Sequence, residues 1–190
     1  MTNIKRETKE TKIELSLEIY GKGKSRIKTG IGFFDHMLES FAKHALFDLD
    51  IKCDGDIHVD FHHSVEDTGI VLGEALRKEI YPVKNIERFG EASVVMDEAL
   101  VKCALDISNR AFLVYEVPLE NKIGDFDAEL AEEFFRAVVF NAGITAHIIY
   151  ERGKNRHHIS EAAFKSFAVA LRRALNKNEK ISIPSTKGIL

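Results

Sequence analysis

Two adjacent histidines followed by a glutamate occur in DFHHSVED (residues 60–67) and again, 95 residues on, in NRHHISEA (residues 155–162). His62, His63, His157 and His158 make up half of the eight histidines in the chain. On a helix, residues three and four apart share a face. Glu66 therefore lies near both His62 and His63, and Glu161 near both His157 and His158. Adjacent residues point about 100° apart around a helix, so two neighbouring imidazoles diverge and each suits a different ion. Two such clusters point to two metals, each drawing ligands from both copies. Imidazole and carboxylate without thiolate favour Mn, Fe, Zn or Ni over Mg or Ca, and mixed ligation beyond four positions leans to an octahedral ion such as Mn(II). Helix capping and surface polarity are the bland account, but neither capping nor core packing calls for paired histidines repeated in register.

The elements that must position these clusters also read as a repeat. In TKIELSLEIYGKGKSRIKTG, Ile13, Leu15, Leu17 and Ile19 alternate with polar residues before GKGK, and the pattern resumes at Arg26–Lys28, which predicts a β-hairpin. FFDHMLESFAKHALF has helical spacing, DLDIKCDGDIHVDF predicts one or two short strands, and HHSVEDTGIVLGEALRKEI is helical again, with Pro82 just beyond its end. The second half repeats the order: strands with a turn near Asp97–Glu98, a helix in DAELAEEFFRAVVFNA capped by Gly143, a strand in ITAHIIYE, and a long helix from HHISEAAF onward. Shifted by 95, the two long helices match at six of 19 positions, including Ala75/Ala170, Leu76/Leu171 and Arg77/Arg172. This predicts an α+β fold built by internal duplication of a hairpin–helix–strand–helix unit. The pseudo-repeats cover about residues 1–88 and 89–180 of a single domain spanning 1–190, with a tail at 181–190. Two copies are too few for a solenoid.

The bulk numbers exclude several classes. The chain has 190 residues, 45% of them hydrophobic and 30% charged, which suits an ordered fold with a real core. A net charge of −3 with no basic stripe gives no nucleic-acid footprint. Cys53 and Cys103 form no CxxC pair, which argues against a disulfide scaffold and a thiolate zinc cage. No apolar run approaches the roughly 20 residues that span a bilayer, and the polar start is not a secretory signal, so a cytoplasmic protein without membrane partners is expected.

Other residues carry weaker signals. His36, in FFDHML, sits on an apolar helix, where a lone histidine is expected in the core; His44, His58 and His147 are expected to be structural. Phe134, Phe135, Val138 and Val139 form a core stripe. Arg88 and Arg110 follow strands or turns, where isolated arginines are mostly solvated, although Arg is the residue of choice for bidentate phosphate binding. PSTKG at 184–188 combines hydroxyls, a lysine and a glycine that can cradle a phosphate.

Taken together, ETKI, FFDHML, HVDFHHSVEDTG, ERFG, MDEAL, GKNRHHISEAAFKSFAVALRRAL and IPSTKG resemble imidazoleglycerol-phosphate dehydratase over nearly the whole chain, in that family's order. The resemblance implies a monofunctional hydro-lyase of histidine biosynthesis. It would dehydrate D-erythro-imidazoleglycerol phosphate to imidazole-acetol phosphate at a di-manganese site that binds the substrate imidazolate. It implies helices packed between two four-stranded mixed sheets, and a homo-oligomer of 24 subunits built from trimers, with active sites at subunit interfaces. One Mn(II) of the two per active site would take His36, His63, His157 and Glu161; the other would take His62, Glu66, His158 and the residue at 133. The family motif EHFF has histidine there, and this chain reads EEFF, so Glu133 either ligates through oxygen or yields to water. Glu10 would shuttle protons, and Arg88, Arg110, Lys165, Ser185, Thr186 and Lys187 would hold substrate, chiefly its phosphate. Read from the residues alone, a different di-metal hydrolase and a non-catalytic metal-binding protein remain open.

Overall fold

The computed structural model describes residues 1–190, in ten strands and four helices. In the first half these are β1 (Thr2–Glu7), β2 (Thr11–Glu18), β3 (Ser25–Lys28), α1 (Gly32–Ala45), β4 (Asp48–Gly55) and α2 (His62–Ile80). The second half contains β5 (Phe89–Met96), β6 (Ala99–Asp106), β7 (Phe112–Glu116), a two-residue pair β8 (Lys122–Ile123) and β9 (Phe126–Asp127), α3 (Leu130–Ala142), β10 (Thr145–Arg152) and α4 (Arg156–Ala174). The strand orders are β1-β2-β4-β3 and β5-β6-β10-β7, so both sheets have the same topology. In each, the outermost pair on one side is parallel (β3 with β4, β7 with β10) and the rest is antiparallel. The fold is therefore α+β with two four-stranded mixed sheets.

One expected pairing is different. Strands β2 and β3 do not form a hairpin: β2 pairs with β1 and with β4, and β3 lies on the far side of β4. The reason is the connecting turn. Asp48, the first residue of β4, accepts the N–H groups of Lys22 and Lys24 through Oδ1 at 2.8 and 2.9 Å, and a side chain at Gly21 would collide with it. The chain is thus led past β4 instead of back along β2. The hairpin of the first half is β1–β2, whose first strand has one buried residue, Ile4, and so little apolar alternation to announce it.

The helices lie between the sheets and exchange partners across the halves. The long helix α2 rests on the first sheet and packs against α3, whereas α4 rests on the second sheet and packs against α1. At the α2–α3 crossing a Cβ on Gly69 would sit 2.8 Å from Ala137 and 2.9 Å from the Phe134 carbonyl, so the backbones meet through glycine. Residue 164, the equivalent position on α4, is a phenylalanine whose ring packs on Phe134 and Phe135 at 5.3 and 4.7 Å. One continuous apolar cluster runs through both halves, and Phe134, Phe135, Val138 and Val139 are fully buried in it. Gly143 ends α3 in the left-handed conformation, φ 68°, with its N–H on the Val139 carbonyl.

The outer faces of the sheets differ. The first carries Lys5, Glu14, Arg26, Lys28, Asp50 and Lys52, a surface at home in water. The second exposes Phe89, Val95 and Phe112. No helix is long and apolar enough to cross a membrane.

Candidate metal centre and substrate site

Both histidine pairs sit on the first turn of a long helix, and the same device fixes each turn. Asp60 Oδ1 accepts the N–H of His62 at 2.8 Å, and Asn155 Oδ1 accepts those of His157 and His158 at 2.9 and 3.4 Å. These cap free N–H groups at a helix start. Within each pair the rings diverge as adjacent helical residues must: centroids are 6.3 Å apart in both, with interplanar angles of 87° and 85°.

Around His157 the structure assembles a compact donor group. His36, from α1, brings Nε2 to 3.6 Å from Glu161 Oε2, and His157 Nε2 lies 3.2 Å from the same oxygen. The ligand atoms of His36, His157 and Glu161 all fall within 4.8 Å of one another, and no other set of three histidine, cysteine or acidic residues does so. His36 is thus no core residue: its side chain is 51% exposed. Phe33 packs edge-on against the His157 ring at 5.3 Å and against Phe126 of β9 at 5.2 Å. An adjoining pocket of about 390 Å³ is lined by Phe33, Phe61, Ile123, Phe126 and His157. Glu161 is only 8% exposed, and its other oxygen accepts from Lys165 Nζ at 2.8 Å. Burial works to raise its carboxyl, but the Lys165 ammonium, together with His36 and His157, outweighs that and holds it below the ordinary range.

The second cluster is more open. His62 Nε2 and Glu66 Oε2 are 3.9 Å apart, each about half exposed. Glu133, on α3, has Arg136 as its ionic neighbour at 4.0 Å. His63 and His158 turn towards other carboxylates: His63 Nδ1 meets Asp56 at 3.0 Å, and His158 Nδ1 meets Glu98 at 2.8 Å. Those contacts raise both imidazoles above their ordinary value. Glu98 is held down to about 2, first by the Asn155 N–H, then by His158 and the Lys154 N–H.

Glu10 stands 3.8 Å from His63 Nε2, in the β1–β2 turn. That turn is pinned from within: Thr8 Oγ1 accepts the N–H groups of Glu10 and Thr11, while Thr11 Oγ1 and Arg6 Nε both donate to buried Asp67 on α2. Asp56, Glu98, Asp67 and Phe126 escaped the sequence reading, because these contacts join segments whose spacing has no period.

The basic residues and the tail gather elsewhere. Arg88 donates from Nε and Nη2 to the Asp106 carboxylate at 2.7 and 3.0 Å and from Nη1 to the Pro184 carbonyl at 2.7 Å. Arg110 Nη2 lies 3.6 Å from the same aspartate. Ser185, Thr186 and Lys187 form a tight turn closed by Gly188 N–H on the Ser185 carbonyl, and the Lys187 N–H donates to Ser185 Oγ. Arg88 also fastens its own N–H to the carbonyl of Ala174, the last residue of α4. Of the remaining histidines, His44 is half-buried, and burial lowers its imidazole. His58 and His147 are exposed, which removes any core role for them.

Comparison with known proteins places these residues in a described lineage. The family model for imidazoleglycerol-phosphate dehydratase matches residues 29–171. An imidazoleglycerol-phosphate dehydratase of Campylobacter hominis is 71% identical over 185 residues, covering 97% of each chain. Among solved structures, the imidazoleglycerol-phosphate dehydratase of Staphylococcus aureus has a TM-score of 0.83 at 41% identity, over 94% of this chain and 100% of that one. The structure of the enzyme from Pyrococcus furiosus gives a TM-score of 0.85 at 41% identity, over 98% and 100%.

Proposed function

The chain belongs to the imidazoleglycerol-phosphate dehydratase family of histidine biosynthesis, and on that premise we propose that it dehydrates D-erythro-imidazoleglycerol phosphate to imidazole-acetol phosphate at a site with two Mn(II) ions. The observation that carries this reading is the convergence of His36, His157 and Glu161. Two imidazole nitrogens and a carboxylate oxygen, with both cysteines buried elsewhere, fit a divalent transition ion of the manganese kind. One ion would be held by His36, His63, His157 and Glu161, the other by His62, Glu66, His158 and Glu133. When bound, the ions would supply Lewis acidity and a template for the substrate's imidazole ring.

The rest of the chemistry falls to the chain itself. The proton to be removed sits on a hydroxyl-bearing carbon with no neighbouring carbonyl to acidify it, so a positioned carboxylate must take it. Glu10, held in a pinned turn beside His63, is that group. Lys165 neutralises Glu161 while two of its N–H donors remain for substrate. Arg88, Arg110 and the Ser185–Lys187 turn gather the phosphate by charge-assisted hydrogen bonds, with Asp106 holding the two guanidiniums side by side.

The active site is shared between subunits. In one chain His63 is engaged with Asp56 and Glu10, away from the trio it would complete. The phosphate-binding set lies by the last turn of α4, whereas Glu161 lies in its second, about 20 Å away along the axis. A substrate with three carbons between imidazole and phosphate spans roughly 8 Å at about 1.5 Å per bond, too little to reach both. Exposed Phe89, Val95 and Phe112 on the second sheet offer an apolar contact for another copy. These features support an assembly in which copies complete each other's sites; as the family resemblance implies, we take that assembly to be a 24-subunit shell of trimers acting in the cytoplasm, each chain being one domain with the tail 181–190 serving substrate.

The test is an assay with imidazoleglycerol phosphate and Mn(II), following ketone formation, beside metal counting and native mass. Ketone formation with two Mn(II) per subunit is expected. Hydrolysis of phosphate esters without dehydration, or full activity in metal-free protein, overturns the reading.

A further inference from the structure

The second histidine of each pair is tethered in a way the first is not. His63 Nδ1 lies 3.0 and 3.2 Å from the two oxygens of Asp56, and His158 Nδ1 lies 2.8 Å from Glu98 Oε2. The carboxylates nearest His62 and His157 instead face Nε2. The two tethers do not correspond in the repeat. Asp56 follows β4, whereas Glu98 sits in the β5–β6 turn; the residue 95 positions after Asp56 is Glu151. Two unrelated carboxylates thus meet the same ring nitrogen of equivalent histidines, which points to a requirement at that atom rather than to inheritance.

A neutral imidazole has one N–H and one lone pair, and an ionised carboxylate can only accept. A carboxylate at Nδ1 therefore keeps the proton there and leaves the lone pair on Nε2. We propose that Asp56 and Glu98 are positioning residues that fix His63 and His158 in the Nδ1–H tautomer and set their ring planes, presenting Nε2 as the ligand atom. The proposal rests on the reading of these histidines as metal ligands, where partners of this kind orient the ring and strengthen binding.

The two tethers are built with different tolerance. Glu98 Oε1 is already occupied by the N–H groups of Lys154 and Asn155, at 3.0 and 2.7 Å. In Glu98→Gln those two donors hold the amide oxygen, so the amide NH₂ must face His158 and Nδ1 must accept. The substitution keeps the loop and inverts the tautomer. The Asp56 side chain has His63 as its sole hydrogen-bond partner, so in Asp56→Asn the amide can turn its oxygen to Nδ1 and preserve the tautomer, whereas Asp56→Ala cannot.

The experiment labels histidine with ¹⁵N in full-length metal-free protein and reads tautomers by magic-angle-spinning spectra, with peaks assigned by their loss in His63→Ala and His158→Ala. Mn(II) affinity is measured on the same samples by chelator competition. Wild-type protein and Asp56→Asn should show Nδ1–H at both rings. Glu98→Gln should move His158 to Nε2–H, and Glu98→Gln and Asp56→Ala should each weaken Mn(II) binding by about 10–100-fold. An Nε2–H ring in wild-type protein, or an unmoved His158 in Glu98→Gln, overturns the proposal. Wild-type protein that takes up no Mn(II) while Glu98→Gln still switches the tautomer overturns the metal reading and leaves the orienting role standing.

Discussion

The starts of α2 and α4 are two versions of one object, and they have aged differently. Each carries a divergent histidine pair, a glutamate one turn on, and a side chain two residues before the pair that caps the turn. Around α4 the cluster has closed: Glu161 is 8% exposed, His36 joins from α1, and Lys165 answers the buried charge. Around α2 it has stayed open: Glu66 is 45% exposed, Ile70 stands where α4 has Lys165, and Glu133 stands where α1 has His36. Burying a carboxylate is costly unless a charge answers it, so the lysine and the burial belong together. The half that sank its glutamate needed a cation four residues on; the half that left it in water did not. What stayed the same is the divergence of each histidine pair, and what drifted is its surroundings, the residue facing it from the neighbouring helix included.

The most direct way to break the comparison is to remove the closed cluster. His157→Ala should abolish turnover and lose one of the two Mn(II) ions per subunit, read by metal counting on the purified assembly; a variant with both ions still bound would mean the trio holds none. Glu10→Gln acts on the open side and should separate chemistry from binding. Its metal content should match wild type while turnover falls by about 10²–10⁴-fold, the usual contribution of a positioned acid or base. Normal turnover would remove Glu10 as the proton-transfer group.

The same asymmetry runs into the core, where its size can be measured as stability. Phe164 fills the centre of the molecule from α4, and its equivalent on α2 is Gly69, which lets α3 approach. Phe164→Ala should lower unfolding free energy by about 3–5 kcal/mol, as large-to-small changes of a buried ring do. Gly69→Ala adds a methyl group 2.9 Å from a backbone carbonyl and should cost about 1–3 kcal/mol through overpacking. Chemical denaturation of both variants checks the order. A harmless Gly69→Ala would mean that α2 and α3 can part without loss.

The helices and the repeat were legible in the sequence because both signals are local: a 3.6-residue period, and HHxxE recurring in register. Two alternating runs around GKGK are equally local and point to a β2–β3 hairpin that does not form, because the pairing is decided by Asp48 some 25 residues downstream. His36 looked like a core residue because its chain neighbours are apolar; only the α1–α4 packing turns it out towards Glu161. Nothing in the spacing joins Glu98 to His158, 60 residues apart, or Arg88 to Pro184, 96 apart. Clusters along the chain could be read, and contacts across it could not.

The smallest expected effect probes the place where the two proposed ligand sets differ by one residue. Because α1 packs on α4 and α3 on α2, Glu133 has the place on its helix that His36 has on α1, although in this chain it does not converge with His62 and Glu66 as His36 does with His157 and Glu161. Glu133→His would make the two sets alike. In its own setting Glu133 has Arg136 within 4.0 Å, a half-exposed pair that contributes little to stability, so the fold should tolerate the change. If position 133 contributes a ligand, exchanging an oxygen for an imidazole nitrogen should preserve or modestly tighten Mn(II) binding and shift preference towards ions that favour nitrogen, Zn above all. Competition between Mn(II) and Zn(II), in the variant and in wild type, reads this directly. Weaker binding of both ions would mean that the open cluster is completed by water at that position, and that its divergence from the closed one extends to the ligands themselves.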